Sequence, residues 1–404
     1  MVRAGAGRGP VRAAGGGRRP GARRAAQPGL PGRGRRRAAR GGTVSRAGWA
    51  GHSPAVEVST ARPWHTRPVT VGLVGAGVMG ADHARLLSGS VSGARVGGVC
   101  DVDEARARQV AGATGARLLS DPFALIADDD IDAVLVASSD PTHEAYVLAA
   151  IALGKPVLCE KPLAPTVDGC QRIVDAETAF GSRLVTVGFM RRYDPGYLEL
   201  KRALDDGEIG APLVLHCVHR NPTNTPGQPS AAVITNSAVH ELDVSRWLLG
   251  EEVVEATVHT PRRAAAAGGT ADPQLLVLRT ASGVLVDVEV FVNAGYGYEV
   301  RCELVGEAGT VELDRPSATV QRRGGVIARP LATDWRPRFA EAYRRELQDW
   351  VDGVRLAAPP AVSPAATAWD GFAATYLAQA CVRALETGAP ATVDLPARPK
   401  LYEP

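Results

Sequence analysis

The spacing of apolar positions changes partway along this chain. Between residues 69 and 189, short β-branched runs at 69–74, 95–100, 133–137, 156–159 and 184–189 alternate with helically spaced stretches at 104–111, 143–153 and 167–179. Short continuous apolar runs read as strands buried on both faces, and strands separated by helices imply parallel pairing with right-handed crossovers. Beyond about residue 213 the texture differs. Strand-like stretches at 212–219, 253–259, 274–278, 284–292, 298–305 and 310–313 follow one another, mostly without helices between them. That pattern predicts an antiparallel, half-buried sheet. Helical segments near 338–354 and 369–387 close the chain.

Composition sets the first 68 residues apart. Gly, Arg, Ala and Pro dominate them, and too few aliphatic side chains are present to offset the entropy of ordering, so an Arg/Gly-rich disordered extension is expected over 1–68. Of 46 basic and 43 acidic side chains, this stretch holds 15 arginines and one acid, Glu57, leaving 31 basic and 42 acidic in the rest. An acidic body argues against a nucleic-acid partner. No apolar run reaches the ~18 residues of a membrane span. The six cysteines are scattered without a C-x-x-C pair, which speaks against a metal site or a disulfide framework and suits a cytoplasmic location.

The strand at 69–74 runs into Gly75-Ala76-Gly77-Val78-Met79-Gly80 and then a helical stretch. In that context Gly75 makes the tight turn, Gly77 admits a pyrophosphate to the backbone, and Gly80 lets helix and strand pack closely; Val78 and Met79 complete the loop. The second strand ends at Asp101, 21 residues after Gly80. A carboxylate there accepts from ribose hydroxyls and repels a 2′-phosphate, so the expected cofactor is NAD. Asp103 is better placed to cap the next helix. Ser138, Ser139 and His143 follow a later strand at its carboxyl end and are further cofactor candidates, His143 being equally readable as a helix-start residue. The expected fold class is α/β: a Rossmann nucleotide-binding domain over 69–190, then an α+β domain with a large, mainly antiparallel sheet over 191–404.

Cys159-Glu160-Lys161-Pro162 closes the next strand. Glu-Lys-Pro in this position, downstream of a glycine turn, resembles the Gfo/Idh/MocA family of sugar and cyclitol oxidoreductases. The resemblance covers residues 69 to about 402 and is nearest to the inositol 2-dehydrogenase branch. It is carried further by Gly188-Phe189-Met190-Arg191-Arg192-Tyr193-Asp194, by His216 to Pro222, by Tyr296-Gly297-Tyr298, and by Asp334-Trp335 with Arg338, Phe339 and Tyr343. It implies a cis Lys161–Pro162 bond, Lys161 projecting between cofactor and substrate, and Glu160 beside the cofactor. It also implies a polyol pocket lined by Arg191, His219, Asn221, Tyr298 and Tyr343, and assembly as a homotetramer.

The stretch 236–249 reads as an amphipathic helix capped by Asn236 or Ser237, with Asn236, His240 and Asp243 spaced to project from one face. His240 resembles the family's general base. Inositol dehydrogenases often carry Asp where this chain has Asn236, and an amide cannot balance an imidazolium, which leaves Asp243 as a candidate for the charge. The expected reaction is NAD-dependent oxidation of a ring secondary alcohol of a cyclitol, with myo-inositol going to its 2-ketone. The alternatives are another inositol isomer or an aldose as substrate, a non-catalytic NAD/sugar-binding regulator, and an NAD-dependent glycosidase.

Overall fold

The computed structural model describes residues 67–314, 319–356 and 363–403. The expected extension therefore lies outside the described residues, apart from Arg67 and Pro68.

The first half alternates as its apolar spacing requires: β1 (Val69–Val74), α1 (Val78–Gly89), β2 (Ala94–Cys100), α2 (Glu104–Thr114), β3 (Arg117–Leu118), α3 (Pro122–Ala127), β4 (Ala133–Val136), α4 (His143–Ala152), β5 (Val157–Glu160), α5 (Val167–Phe180) and β6 (Val185–Gly188). These strands pair in parallel in the order β6-β5-β4-β1-β2-β3. The order reverses between β1 and β4, and a crevice opens outside the strand ends at such a switch point. β1, β4 and β5 are buried along their whole length, because helices cover both faces.

The second half holds α6 (Pro195–Asp205), β7 (Pro212–Arg220), α7 (Ser230–Ala232), a π-helical turn (Val233–Ala238), α8 (Val239–Leu249), β8 (Val253–His259), β9 (Gln274–Thr280), β10 (Leu285–Phe291), β11 (Glu299–Gly306) and β12 (Thr310–Glu312). A small hairpin, β13 (Gln321–Arg323) with β14 (Val326–Ala328), precedes α9 (Trp335–Arg338) and α10 (Ala340–Leu356); β15 (Ala366–Thr367), α11 (Ala368–Thr387) and β16 (Ala391–Thr392) follow. The second sheet runs β12-β11-β7-β10-β9-β8-β16. It is antiparallel except where β7 and β10 pair in parallel, since helices and two further strands separate them in sequence. Burial alternates along β9 and β10, so one face is core and the other is half-exposed.

The chain then returns to its first sheet. β15 adds antiparallel to β6, and α11 opens with a capping box in which Thr367 and Asp370 satisfy each other's backbone amides. All six cysteines are free and buried, acting as small apolar side chains. No helix among the described residues is long and apolar enough to cross a membrane.

Candidate active site

The glycine turn between β1 and α1 is built as its three glycines suggest. Gly75 has a φ of +98°, and a Cβ there would strike the main chain of Ala137 and Ser138 at the end of β4. A Cβ on Gly80 would overlap the Gly75 carbonyl, so the helix can sit this close only without one. Gly77, in contrast, has nothing within 4 Å of its Cβ position and stands at the N-cap of α1 with no side-chain cap. The helix start is thus open to an anionic group approaching the backbone. Asp101, at the end of β2, accepts the Ala76 and Asp103 amide N–H groups and stays half-exposed beside the turn. Asp103 caps α2, as its place before Glu104 implies. These residues fit a dinucleotide: an uncapped helix start behind a bare glycine for the phosphates, and a carboxylate one strand away for a ribose.

Ser138 and Ser139 lie at the end of β4, with the Ser138 hydroxyl bonded to that of Thr142. Two other cofactor candidates point elsewhere. His143 is buried, its Nδ1 lying 2.8 Å from the Pro162 carbonyl oxygen and its Nε2 3.2 Å from that of Ser138, so its ring N–H braces the Lys161–Pro162 turn or the end of β4 according to the tautomer. That peptide bond is cis. Glu160 is also turned inward, bonded to His83 at 2.7 Å.

Lys161 emerges from the end of β5, half-buried, and its Nζ donates to the main-chain oxygen of Asn236 at 3.0 Å. Burial pushes its ammonium below the usual lysine range, with Arg191 adding to the effect and Glu160, Asp140 and Glu241 opposing it. Beyond Asn236, α8 carries His240, buried with its Nδ1 unpartnered. Phe189 lies edge-on to this imidazole with ring centres 6.1 Å apart, and His219 lies 6.3 Å away. Burial, reinforced by the charges of Lys161, Arg191 and His219, holds His240 well below the ordinary histidine value. The ring is therefore a neutral base at neutral pH.

Behind His240 stands a charged layer. Arg191 is fully buried and bonded to Glu241, while His219 Nδ1 lies 3.2 Å from Arg191 Nη2 and 3.1 Å from Glu241 Oε2. Burial alone would raise the Glu241 carboxyl, but Arg191 and His219 hold it below the usual range. Tyr298 packs edge-on to His219 at 5.8 Å, and burial pushes its phenol up to about 12. Asn221 donates to the Ser237 hydroxyl at 3.5 Å. Tyr343 is buried edge-on against His83 at 5.7 Å, on the α1 side.

Residues 69–189 match the oxidoreductase family Gfo/Idh/MocA in its NAD-binding Rossmann fold, and residues 201–395 match that family's C-terminal alpha/beta domain. The chain belongs to the Gfo/Idh/MocA family. Within the family, inositol 2-dehydrogenase 1 of Saccharopolyspora erythraea is 56% identical over 341 residues, covering 83% of this chain and 99% of the relative. Inositol 2-dehydrogenase 2 of the same organism is 54% identical over 338 residues, covering 83% and 98%. The crystal structure of myo-inositol dehydrogenase from Lactobacillus casei, in complex with NAD(H) and myo-inositol, matches with a TM-score of 0.80 and 37% identity over 83% of this chain and 100% of that one. As a member of this family the chain is an NAD-dependent oxidoreductase.

Against this family frame, the 236–249 segment departs from its sequence pattern in three ways. First, α8 is not amphipathic: Val239 to Arg246 are all buried, so polar residues on every side need partners. Second, Asp243 does not join His240. It forms a two-pronged pair with Arg192 at 2.6 and 2.9 Å, and Arg192 also reaches Asp370 at 3.2 Å. Third, neither Asn236 nor Ser237 caps the helix. The π turn carries the winding on from α7, and the Asn236 side chain faces solvent, with only its carbonyl turned to Lys161. Glu241 and His83 were not visible as site residues in sequence. Each is one of several polar residues in its helix, and such residues are usually solvated.

Proposed function

We propose that this protein oxidises a ring secondary alcohol of a cyclitol, myo-inositol to 2-keto-myo-inositol (scyllo-inosose) being the best match. The reading rests on one observation above the others: a buried, unprotonated His240 with an unpartnered Nδ1, sharing a wall with Lys161 at the switch-point crevice. Its substrate class comes from the inositol 2-dehydrogenases at 54% and 56% identity.

NAD, held by Gly75, Gly77 and Gly80 with Asp101 on the adenosine ribose, is the hydride acceptor in this reading. His240 takes the hydroxyl proton as the alcohol becomes a ketone. Lys161 donates a hydrogen bond to the same oxygen and stabilises its developing negative charge. Arg191 acts from one layer further back than the sequence suggests. Neutralised by Glu241, it steadies His219, which is left with Tyr298 and Asn221 to meet the remaining hydroxyls. Asp243 serves the buried pairing of α8 with Arg192 instead of the proton path.

The test is NADH formation by the purified chain across inositol isomers, pyranoses and their nitrophenyl glycosides, run with NAD and NADP in parallel. Preferential turnover of myo-inositol with NAD is the expected outcome. Faster turnover of an aldose would move the substrate class, and release of a glycone without net NADH would replace the reaction.

A further inference from the structure

One buried titratable pair has no part in the reaction as proposed. His83 lies on α1, one turn past Gly80, and is fully buried. Its Nε2 lies 2.7 Å from Glu160 Oε1, and since a carboxylate only accepts, the imidazole N–H donates. The ring's Nδ1 is buried without a partner. Glu160 is the last residue of β5, immediately before Lys161. Its Oε2 accepts the Lys161 main-chain N–H at 3.3 Å, and a Cβ on Gly188 of the neighbouring strand would lie only 3.2 Å from that oxygen. The carboxylate is thus pinned from the α1 side by an imidazole, from β6 by bare backbone, and from its own chain by the amide of Lys161.

From this geometry we infer that His83 is a positioning residue for Lys161: it holds the Glu160 carboxylate on the Lys161 main-chain N–H and so keeps a negative charge at the root of the lysine side chain. The inference rests on the role proposed for Lys161 and deepens it.

The groups facing Lys161 explain why one more carboxylate matters. Arg191 and His240 approach it, as do Asp140 beyond β4, Glu241 on α8 and the Asn236 carbonyl. Of the acids, Glu241 is already bonded to Arg191, and Asp140 is half-exposed and screened by solvent. Glu160 remains as a buried carboxylate without an arginine on it. Burial would raise its carboxyl, yet the His83 hydrogen bond and the charges of His83 and Lys161 hold it below the usual range. The imidazole donor keeps that carboxylate in place. The same imidazole sits on the helix whose start faces the dinucleotide, so cofactor helix and lysine share one rigid contact.

The experiment measures the titration of Lys161 directly in the full-length, cofactor-free protein. Trace acetylation by acetic anhydride across pH, with the Lys161 peptide quantified by mass spectrometry, gives its midpoint. Glu160→Gln is expected to lower that midpoint by about one unit or more, the size of effect a nearby carboxylate exerts. His83→Ala is expected to lower it in the same direction, and His83→Gln, which keeps an N–H donor, to leave it near the parent. NADH affinity by fluorescence should change by less than about threefold, because neither side chain is required to touch the dinucleotide. An unchanged midpoint in folded Glu160→Gln, or a shift there that His83→Ala does not share, overturns the proposal and leaves the pair as packing. If His83→Ala does not fold, His83→Leu, which fills the space without a donor, takes its place, and its midpoint decides in the same way. Midpoints that shift as stated in a chain that reduces NAD with no polyol would overturn the proposed reaction while leaving the positioning role standing. Unmoved midpoints in an active chain would do the reverse.

Discussion

Lys161 reaches across from the end of β5 and donates its ammonium to the main-chain oxygen of Asn236 at 3.0 Å. The lysine therefore meets the π turn before α8 through backbone, and the identity of side chain 236 is not what holds it. Asn236→Asp puts a carboxylate on a side chain that is exposed and separated from His240 by the end of the π turn, where solvent screens its charge. The kcat/KM pH profile for polyol oxidation should therefore keep its acid limb. A limb that moves to higher pH would place position 236 on the proton path.

The pH profile of the parent protein follows from His240. Burial and its cationic neighbours depress the imidazole well below 6.5. It is then unprotonated above that pH, and the limb of kcat/KM governed by His240 lies lower. Lys161→Met removes one of those cations, so in its residual activity the acid limb should rise toward neutrality. A limb that stays put would show that the lysine charge does not reach the base.

Glu241 tests the layer behind the site. Glu241→Gln leaves Arg191 buried without its counter-charge, which typically costs about 3–5 kcal/mol. Urea unfolding should show a loss of that order, and KM for the polyol should rise as His219 loosens. Adding Arg191→Met to the same chain should recover most of the stability but not the KM, because the guanidinium that steadies His219 is then gone. Additive losses in the double variant would mean that the two side chains do not act as a pair.

Glu346 on α10 is fully buried with neither carboxylate oxygen partnered. Burial and the neighbouring carboxylates of Glu160, Asp243 and Asp349 push its carboxyl well above the ordinary value. Above about pH 4.5 the unfolded chain releases this proton while the folded chain keeps it, so the group costs stability as pH rises. Glu346→Gln should thus stabilise the protein more at pH 8 than at pH 5, by about 1 kcal/mol or more in denaturant unfolding. An equal effect at both pH values would show that the acid is ionised in the folded state.

Much of this was readable in the residues because backbone constraints leave marks. Gly75 and Gly80 sit where a Cβ would collide with main chain, and the Lys161–Pro162 turn follows a fully buried strand. Periodicity gave α8 too, but not its surroundings. The regular i, i+4, i+7 spacing of Asn236, His240 and Asp243 fails because the π turn ends between the first two, and because Arg192 draws the third away. His143, Glu160 and Arg191 have inward partners that went unread for a common reason. Each is polar and adjacent in sequence to a site residue or motif, yet each is satisfied inward by a partner far along the chain: His143 by Pro162, Glu160 by His83, and Arg191 by Glu241. Pairings of that range are set by tertiary packing, and no local pattern announces them.

Deuterium transfer from C2-deuterated myo-inositol to NAD tests the central claim most directly, with the parent protein compared against His240→Ala. The account predicts deuterated NADH from the parent, and a loss of about 10²–10⁴ in kcat/KM in the variant with NADH affinity retained. Unlabelled NADH from the parent, or undiminished transfer by folded His240→Ala, would contradict it.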